Sequence, residues 1–162
     1  RTNCWREVGL IIRERDTLAV VFESRATHDG PWSDSDAVLP AHDPDGDLRD
    51  GVPVLSPLAW PLAYRWPVHT IGPGFEADGP PSEPTLVLLR READGRIHFS
   101  MLSPLLYRLL ELVGTNESHD GRALLRQLAD EAGQDDFDAF LDQARPMLAR
   151  LRSEGTLPGI RR

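Results

Sequence analysis

Residues 54–72 constrain the fold of this chain more than any other stretch. They read V-L-S-P-L-A-W-P-L-A-Y-R-W-P-V-H-T-I-G and place Trp60, Tyr64 and Trp66 among three prolines. Proline fixes φ, removes a backbone donor and biases the preceding residue toward extended conformations, so neither a regular helix nor a central strand is expected. The aromatic content is too high for a solvated linker. We therefore expect a semi-rigid extended segment, called the Pro/aromatic segment below, that packs against a surface.

Two surfaces could receive the Pro/aromatic segment: the chain's own C-terminal module or a partner protein. Buried aromatic side chains would make the segment structural, whereas an exposed aromatic patch would make it an interface. We expect most of its side chains to pack on the chain itself, with Tyr64, Arg65 and His69 facing outward. The candidate partner-binding residues of the segment are Trp60, Tyr64, Arg65, Trp66 and His69.

Composition limits the classes of protein and partner. The chain has 162 residues, 40% of them hydrophobic, which is enough for one core of ordinary size. Its formal net charge of -8 repels nucleic acid and anionic lipid. The single cysteine, Cys4, allows no intramolecular disulfide, and the sequence contains neither a signal peptide nor a run of apolar residues that would span a membrane. A cytoplasmic protein is expected.

Residues 1–50 predict little regular structure. Residues 8–12 and 18–22 are apolar runs around a charged turn, which favour two short strands over one poor helix. Residues 26–50 are rich in Asp, Gly, Pro and Ser and indicate a loop. The run Asp-Pro-Asp-Gly-Asp at 43–47 allows a calcium-loop interpretation, but an EF-hand counted from Asp43 would have Leu48 in place of glycine and Val54 in place of glutamate. An acidic turn is the favoured interpretation.

Residues 85–90 and 97–102 predict an antiparallel hairpin that follows a second loop zone at 73–84. The first run is continuously apolar, and the second alternates Ile97, Phe99 and Met101 with His98 and Ser100. Asp94 and Gly95 supply the positive φ of a tight turn between them.

Three helices are predicted after the hairpin. Ser103-Pro104 begins the first, Asp120 to Gly133 bounds the second, and the third runs from about Asp135 to Gly155. Because Pro146 lies inside the third helix, a kink or break is expected near Gln143. The fold class is therefore α+β: a Pro-rich extended segment, a β-hairpin and a three-helix, winged-helix-like module. The corresponding division is 1–50, 51–84 and 85–160.

The residues themselves point away from DNA binding and catalysis. The start of the third helix, which would enter a major groove, carries Asp135, Asp136, Asp138 and Asp142. Later in the helix Arg145, Arg150 and Arg152 could contact phosphate weakly, but they are expected to complement the helix C-terminus. No nucleophile elbow, phosphate-binding loop or metal-ligand spacing occurs, so neither an enzyme nor a cofactor is predicted.

Three stretches resemble one known family. Residues 49–75 (RDGVPVLSPLAWPLAYRWPVHTIGPGF), 80–85 (PPSEPT) and 99–112 (FSMLSPLLYRLLEL) closely resemble the C-terminal half of the HvfC family, whose members carry a DNA-binding label on a helical N-terminal domain. The resemblance covers roughly residues 37–160. That N-terminal domain has no counterpart here, and residues 1 to about 36 resemble no part of the family, so truncation or a shifted reading frame upstream is expected. The chain begins with Arg1, which also allows a fragment or a processed form.

The resemblance implies a function. Members of this family are similar to partner proteins that accompany metal-dependent TIM-barrel enzymes in the maturation of ribosomally made, cysteine-containing peptides such as methanobactin. Their C-terminal region looks like a winged-helix peptide-recognition element, in which an extended precursor peptide adds a strand to the sheet edge and packs along the third helix. A winged-helix DNA-binding transcription regulator is the alternative. The peptide-binding residues that follow from the resemblance are Ile97, His98, Phe99, Met101, Phe137, Phe140, Leu141 and Ala144.

Overall fold

The computed structural model describes residues 5–14, 17–24, 39–70, 79–92 and 96–162, with side chains from residue 39 onward. The chain divides into two compact units. The first unit comprises Arg1–Ala37 and Leu62–Thr85, and the second, called the helical unit below, comprises Val38–Pro61 and Leu86–Arg162. Small antiparallel sheets and three helices make the fold α+β, as predicted.

The first unit contains a two-stranded antiparallel sheet. Strand β1 spans Trp5–Glu14 and strand β2 spans Thr17–Ser24, with Val8 opposite Phe22 and Ile11 opposite Val20. The β-branched residues of both apolar runs suit a pleated surface, which is why strands form here instead of the alternative helix. The unit also contains a 3₁₀ turn at Val68–Thr70.

The next sheet comprises three strands in the order β5-β6-β7. Strand β5 spans Ala59–Tyr64, β6 spans Thr85–Arg91 and β7 spans Ile97–Met101. The pairing of β6 with β7 is antiparallel and confirms the predicted hairpin, although its Asp-Gly turn lies outside the described residues. Pro61 lies in β5, at the edge of the sheet, where a missing N–H is tolerated.

Three helices follow the hairpin. Helix α1 spans Pro104–Thr115, α2 spans Gly121–Glu131 and α3 spans Phe137–Ser153. The side chains of Ser103, Asp120 and Asp136 cap their N-termini by accepting backbone N–H bonds. Helix α3 passes through Pro146 without interruption, so a break near Gln143 does not occur, whereas a kink there stays a prediction. No helix within the described ranges is long and apolar enough to span a membrane.

A third sheet joins segments that are distant in sequence. Its strands are β3 at His42–Asp43, β4 at Pro53–Val54 and β8 at Gly159–Arg161, in the order β3-β8-β4. The acidic loop after β3 is an ordinary turn: the Asp45 N–H donates to Asp43 Oδ1 over 3.0 Å. Hydrogen bonds from Arg49 hold the pKa of Asp47 well below its usual range. The favoured acidic turn is therefore what the loop forms.

The hydrophobic core lies in the helical unit. Leu110 and Leu157 are fully buried at its centre, and Leu109, Leu125 and Leu128 are nearly so. Leu86 and Leu88 of β6 contribute to the same core, so one face of the β5-β6-β7 sheet packs with the helices.

The Pro/aromatic segment is divided between the two units after Pro61. Its first part is fixed to the helical unit: Val54 and Ala59 are buried, and the Ser56 N–H donates to the Thr156 carbonyl over 2.9 Å. The Arg91 N–H donates to the Leu58 carbonyl, which joins the start of β5 to the end of β6. In this part the segment is structural.

Candidate functional site

The outer edge of β7 is the candidate functional site. Among the described strands β7 pairs only with β6, so its other side is open. All five of its residues are exposed, and three of them are large and apolar: Ile97, Phe99 and Met101 expose 50%, 73% and 55% of their surface. An open strand edge with exposed apolar side chains is a template for pairing with another chain.

The register of the hairpin shows which backbone groups of β7 point outward. The Leu102 N–H donates to the Leu86 carbonyl at one end of the hairpin, and the Glu92 N–H donates to the Arg96 carbonyl at the other. Hydrogen-bonded and non-hydrogen-bonded pairs alternate along an antiparallel ladder. Residues 96, 98, 100 and 102 therefore bond to β6, because their partners are 92, 90, 88 and 86.

The backbone N–H and C=O groups of Ile97, Phe99 and Met101 consequently point away from β6, toward the open edge. These are also the three residues with exposed apolar side chains. Main-chain hydrogen bonding and apolar contact are thus offered by the same three residues of a single strand. An extended peptide is the ligand that uses both.

The opposite face of the hairpin carries a polar cluster. Glu92 lies 3.6 Å from Arg90, 3.7 Å from Arg96 and 3.3 Å from His98 Nε2. Arg90 also donates to the carbonyl of Glu154, at the C-terminus of α3. One carboxylate therefore shares two guanidinium groups and an imidazole. This cluster was not predicted from the sequence, although the alternation of the two strands already places these residues on one face.

The predicted peptide-binding residues of α3 have mixed positions. Phe140, Leu141 and Ala144 are buried in the core. Phe137 is half-buried at the start of the helix, where the guanidinium of Arg126 lies 4.0 Å from its ring centroid. A peptide could reach Phe137, whereas contact with the other three would require the core to open.

The predicted partner-binding residues fall in both units. Trp60 belongs to the helical unit, and Tyr64, Arg65, Trp66 and His69 belong to the first unit. Arg65 and His69 are exposed, while the three aromatic side chains are half-buried. Burial raises the pKa of the Tyr64 hydroxyl.

Trp60 lines an open cleft of about 320 Å³ at the C-terminal end of α1. Pro40, Pro53 and Pro57 form apolar walls, and Asn116 and Arg161 supply its polar groups. Its lining is mostly apolar and includes the cationic side chain of Arg161.

The charged residues of the helices are largely paired with one another. Arg145 lies 3.0 Å from Asp142 and Arg150 lies 2.7 Å from Glu154. Asp136 caps α3, whose first turn also carries Asp138. Within the described residues, no group of three or more His, Cys, Asp or Glu side chains is arranged to hold a metal ion.

Comparison with known families identifies the module that carries the site. The family model of the HvfC C-terminal domain matches residues 56–152. The match begins within the Pro/aromatic segment, includes the hairpin and ends in the last turn of α3. Comparison with curated proteins gave no match, and comparison with solved structures gave none.

Proposed function

The chain belongs to the HvfC family, and from that premise we propose that it is a non-catalytic accessory protein that binds a precursor peptide and a metal-dependent TIM-barrel enzyme. The peptide adds a strand to the outer edge of β7, and the enzyme modifies the peptide while both are held. The observation that carries the proposal is the outer edge of β7, where three residues combine exposed apolar side chains with backbone groups that no described strand pairs.

Strand addition at β7 supplies affinity in two ways. Each main-chain hydrogen bond contributes about 1 kcal/mol net, and Ile97, Phe99 and Met101 offer apolar surface at roughly 25 cal/mol per Å² buried. The ordering of a flexible peptide offsets part of this gain. A contribution from α3 rests on Phe137, because the other three predicted helix residues are buried.

Proline at Phe99 tests the backbone part of the proposal. The N–H of residue 99 points toward the open edge, so Phe99→Pro removes a bond to the peptide without removing one to β6. Phe99→Ala is the matched control, since it shortens the same side chain and keeps the N–H. We expect Phe99→Ala to weaken binding of the precursor peptide and Phe99→Pro to weaken it further, measured by fluorescence anisotropy. Equal affinity in all three proteins, with unchanged circular dichroism, would contradict strand addition.

Co-purification tests the enzyme part of the proposal. The chain and its TIM-barrel enzyme should elute together, and the triple substitution of Trp60, Tyr64 and Trp66 by alanine should weaken that association. Peptide binding by the triple variant serves as the control for folding of the β7 edge. Failure of the unaltered chain to bind enzyme or peptide at micromolar concentration would refute the proposed function.

Duplex DNA binding is the alternative and needs a basic footprint. The first turn of α3 is acidic, and Arg145 and Arg150 are in ion pairs within the helix. From Ser103 onward the chain has eight arginines against ten acidic residues. Salt-sensitive binding to duplex DNA, weakening steeply as salt rises, would favour the regulator instead.

A further inference from the structure

We propose that the strand recognised by β7 runs antiparallel to it, has apolar residues at alternate positions and carries a carboxylate at its C-terminal end. This inference rests on the proposed function, because it specifies the peptide that occupies the same edge. It follows from the two faces of the hairpin and from the position of its charges.

The alternation of apolar residues follows from the register. In an antiparallel pair, residues directly opposite each other have their side chains on the same face of the sheet. Every second residue of the added strand would lie beside Ile97, Phe99 and Met101, whose side chains share one face. The intervening residues would lie on the face of His98 and Ser100, where polar side chains suit. An apolar-polar alternation therefore fits the edge, and a block of apolar residues does not.

The direction follows from the rest of the sheet. Strand β6 pairs with β7 in the antiparallel sense, and antiparallel pairing is slightly more stable per residue than parallel pairing. An antiparallel strand on β7 has its C-terminal end beside Ile97 and Arg96, and its N-terminal end beside Met101.

The carboxylate follows from the charges at the Arg96 end. Among the described residues, the guanidinium groups of Arg90 and Arg96 and the imidazole of His98 lie within 3.3 to 3.7 Å of the carboxylate of Glu92. The side chain of Arg96 is 72% exposed and that of His98 is 45% exposed, so both can reach a ligand. Residues 90–98 carry three arginines against two acidic residues, in a chain whose net charge is -8.

Residues 99–107, which follow the Met101 end of the edge, include no charged side chain. Leu102 is buried and Ser103 is the N-cap of α1, which begins with Pro104. The flanking residues of the two ends therefore differ in charge, and they stabilise an acidic residue of the ligand at the Arg96 end. This asymmetry selects the direction of the strand as well as its composition.

Synthetic peptides test the inference against the full chain. The reference peptide has valine at alternate positions, threonine between them and glutamate at its C-terminal end, with blocked termini and a fluorescent label. The comparison peptides carry lysine in place of the glutamate, the whole sequence in reverse order, or the valines in one block. We expect the reference peptide to bind about three- to tenfold more tightly than the lysine peptide, the change typical of a partly exposed ion pair and its repulsive counterpart.

Charge reversal at Arg96 provides the internal control. Arg96→Glu should invert the preference between the glutamate and lysine peptides, and salt should reduce the preference in both proteins. Equal binding of the glutamate and lysine peptides would overturn the proposed preference for a carboxylate but would not contradict strand addition. If the peptide of reversed sequence binds more tightly than the reference peptide, the antiparallel direction is wrong. If the peptide with its valines in one block binds as tightly as the reference peptide, the alternation of apolar residues is not required. If none of the peptides binds, and the precursor peptide does not bind either, the proposed function fails together with the inference.

Discussion

Gly121 lets the start of α2 lie directly against the loop at residues 48–51. Its N–H donates to the Gly51 carbonyl over 3.0 Å, and the next N–H, of Arg122, donates to the Arg49 carbonyl over 2.8 Å. A Cβ at position 121 would clash with the backbone carbonyl of Leu48. Glycine is therefore required here by close backbone approach, because a neighbouring backbone cannot rotate aside as a side chain can.

Gly121→Ala should destabilise the helical unit by about 2 kcal/mol or more, because the loop has to move away from α2. Gly133→Ala is the control: residue 133 has φ of 65° but no atom within 4 Å of the added Cβ, so only a backbone cost of about 1 kcal/mol applies. Urea unfolding followed by circular dichroism measures both. A smaller loss for Gly121→Ala than for Gly133→Ala would contradict the close-packed geometry.

Glu131 illustrates how one ion pair makes stability depend on pH. Hydrogen bonds from Arg108, at 2.7 and 2.9 Å, and from Gln127 lower the pKa of Glu131 from 4.5 to about 2. The folded chain therefore holds this proton less readily than the unfolded chain. The stabilisation is complete above pH 4.5 and is lost as the pH falls toward 2.

Arg108→Met should return the pKa of Glu131 toward 4.5, because the strongest hydrogen-bond donor is removed. The measurement is an NMR titration of the side-chain carboxyl carbon in both proteins. Arg122→Met, which removes an arginine bonded to Asp50 instead, should leave the titration of Glu131 unaltered. An unchanged midpoint in Arg108→Met would show that the pair does not form in solution.

At the scale of elements, helix boundaries were predictable because capping is local. Ser103 with Pro104, Asp120 and Asp136 all lie within one residue of the predicted starts, since each side chain bonds to an N–H in the first turn of its own helix. The uninterrupted course of α3 was not predictable. Proline removes one helical bond whatever surrounds it, but Leu141, Ala144, Leu148 and Leu151 are buried in the core both before and after it, which favours a continuous helix.

Pro146→Ala should therefore stabilise the helical unit, by about 1 to 3 kcal/mol, because alanine restores the backbone donor to the helix. The side chain is exposed, so the change removes little packing. Arg145→Ala is the neighbouring control and should have a small effect, since its pair with Asp142 is exposed. Unchanged or lower stability of Pro146→Ala in urea would contradict this prediction.

Which apolar residues of an element bind a ligand is harder to predict than the element itself. Phe99 and Phe140 are both aromatic residues on amphipathic elements, yet Phe99 is 73% exposed and Phe140 only 8%. The difference depends on what covers each face, and a local pattern does not contain that information. The peptide-binding role of Phe140, Leu141 and Ala144 stays a prediction, while the exposed residues of β7 carry the proposal.

At the scale of the whole molecule, the β3-β8-β4 sheet had no local signal. Its strands are two or three residues long, and His42 pairs with Arg161 across almost the entire helical unit. Such pairing depends on the chain already being folded. The same sheet gives the loop at residues 43–47 its position, because β8 lies between β3 and β4.

Residues 38–162 should fold without the strands β1 and β2. Among the residues that the structure describes, every member of the hydrophobic core cluster belongs to the helical unit. We expect a shortened chain, residues 38–162, to unfold in one cooperative urea transition with a midpoint close to that of the whole chain. Matching transitions by circular dichroism and tryptophan fluorescence would establish this. Non-coincident transitions would show that residues 1–37 are needed to complete the fold.

The open edge of β7 also has a consequence for the concentration at which this protein can exist alone. A strand with Ile97, Phe99 and Met101 outward and its backbone groups unpaired is a template for any extended chain, including another copy of itself. Unoccupied molecules should accumulate as oligomers when they are abundant, and a peptide that fills the edge should keep them dispersed. The supply of peptide and the solubility of its carrier are then linked through the same five residues.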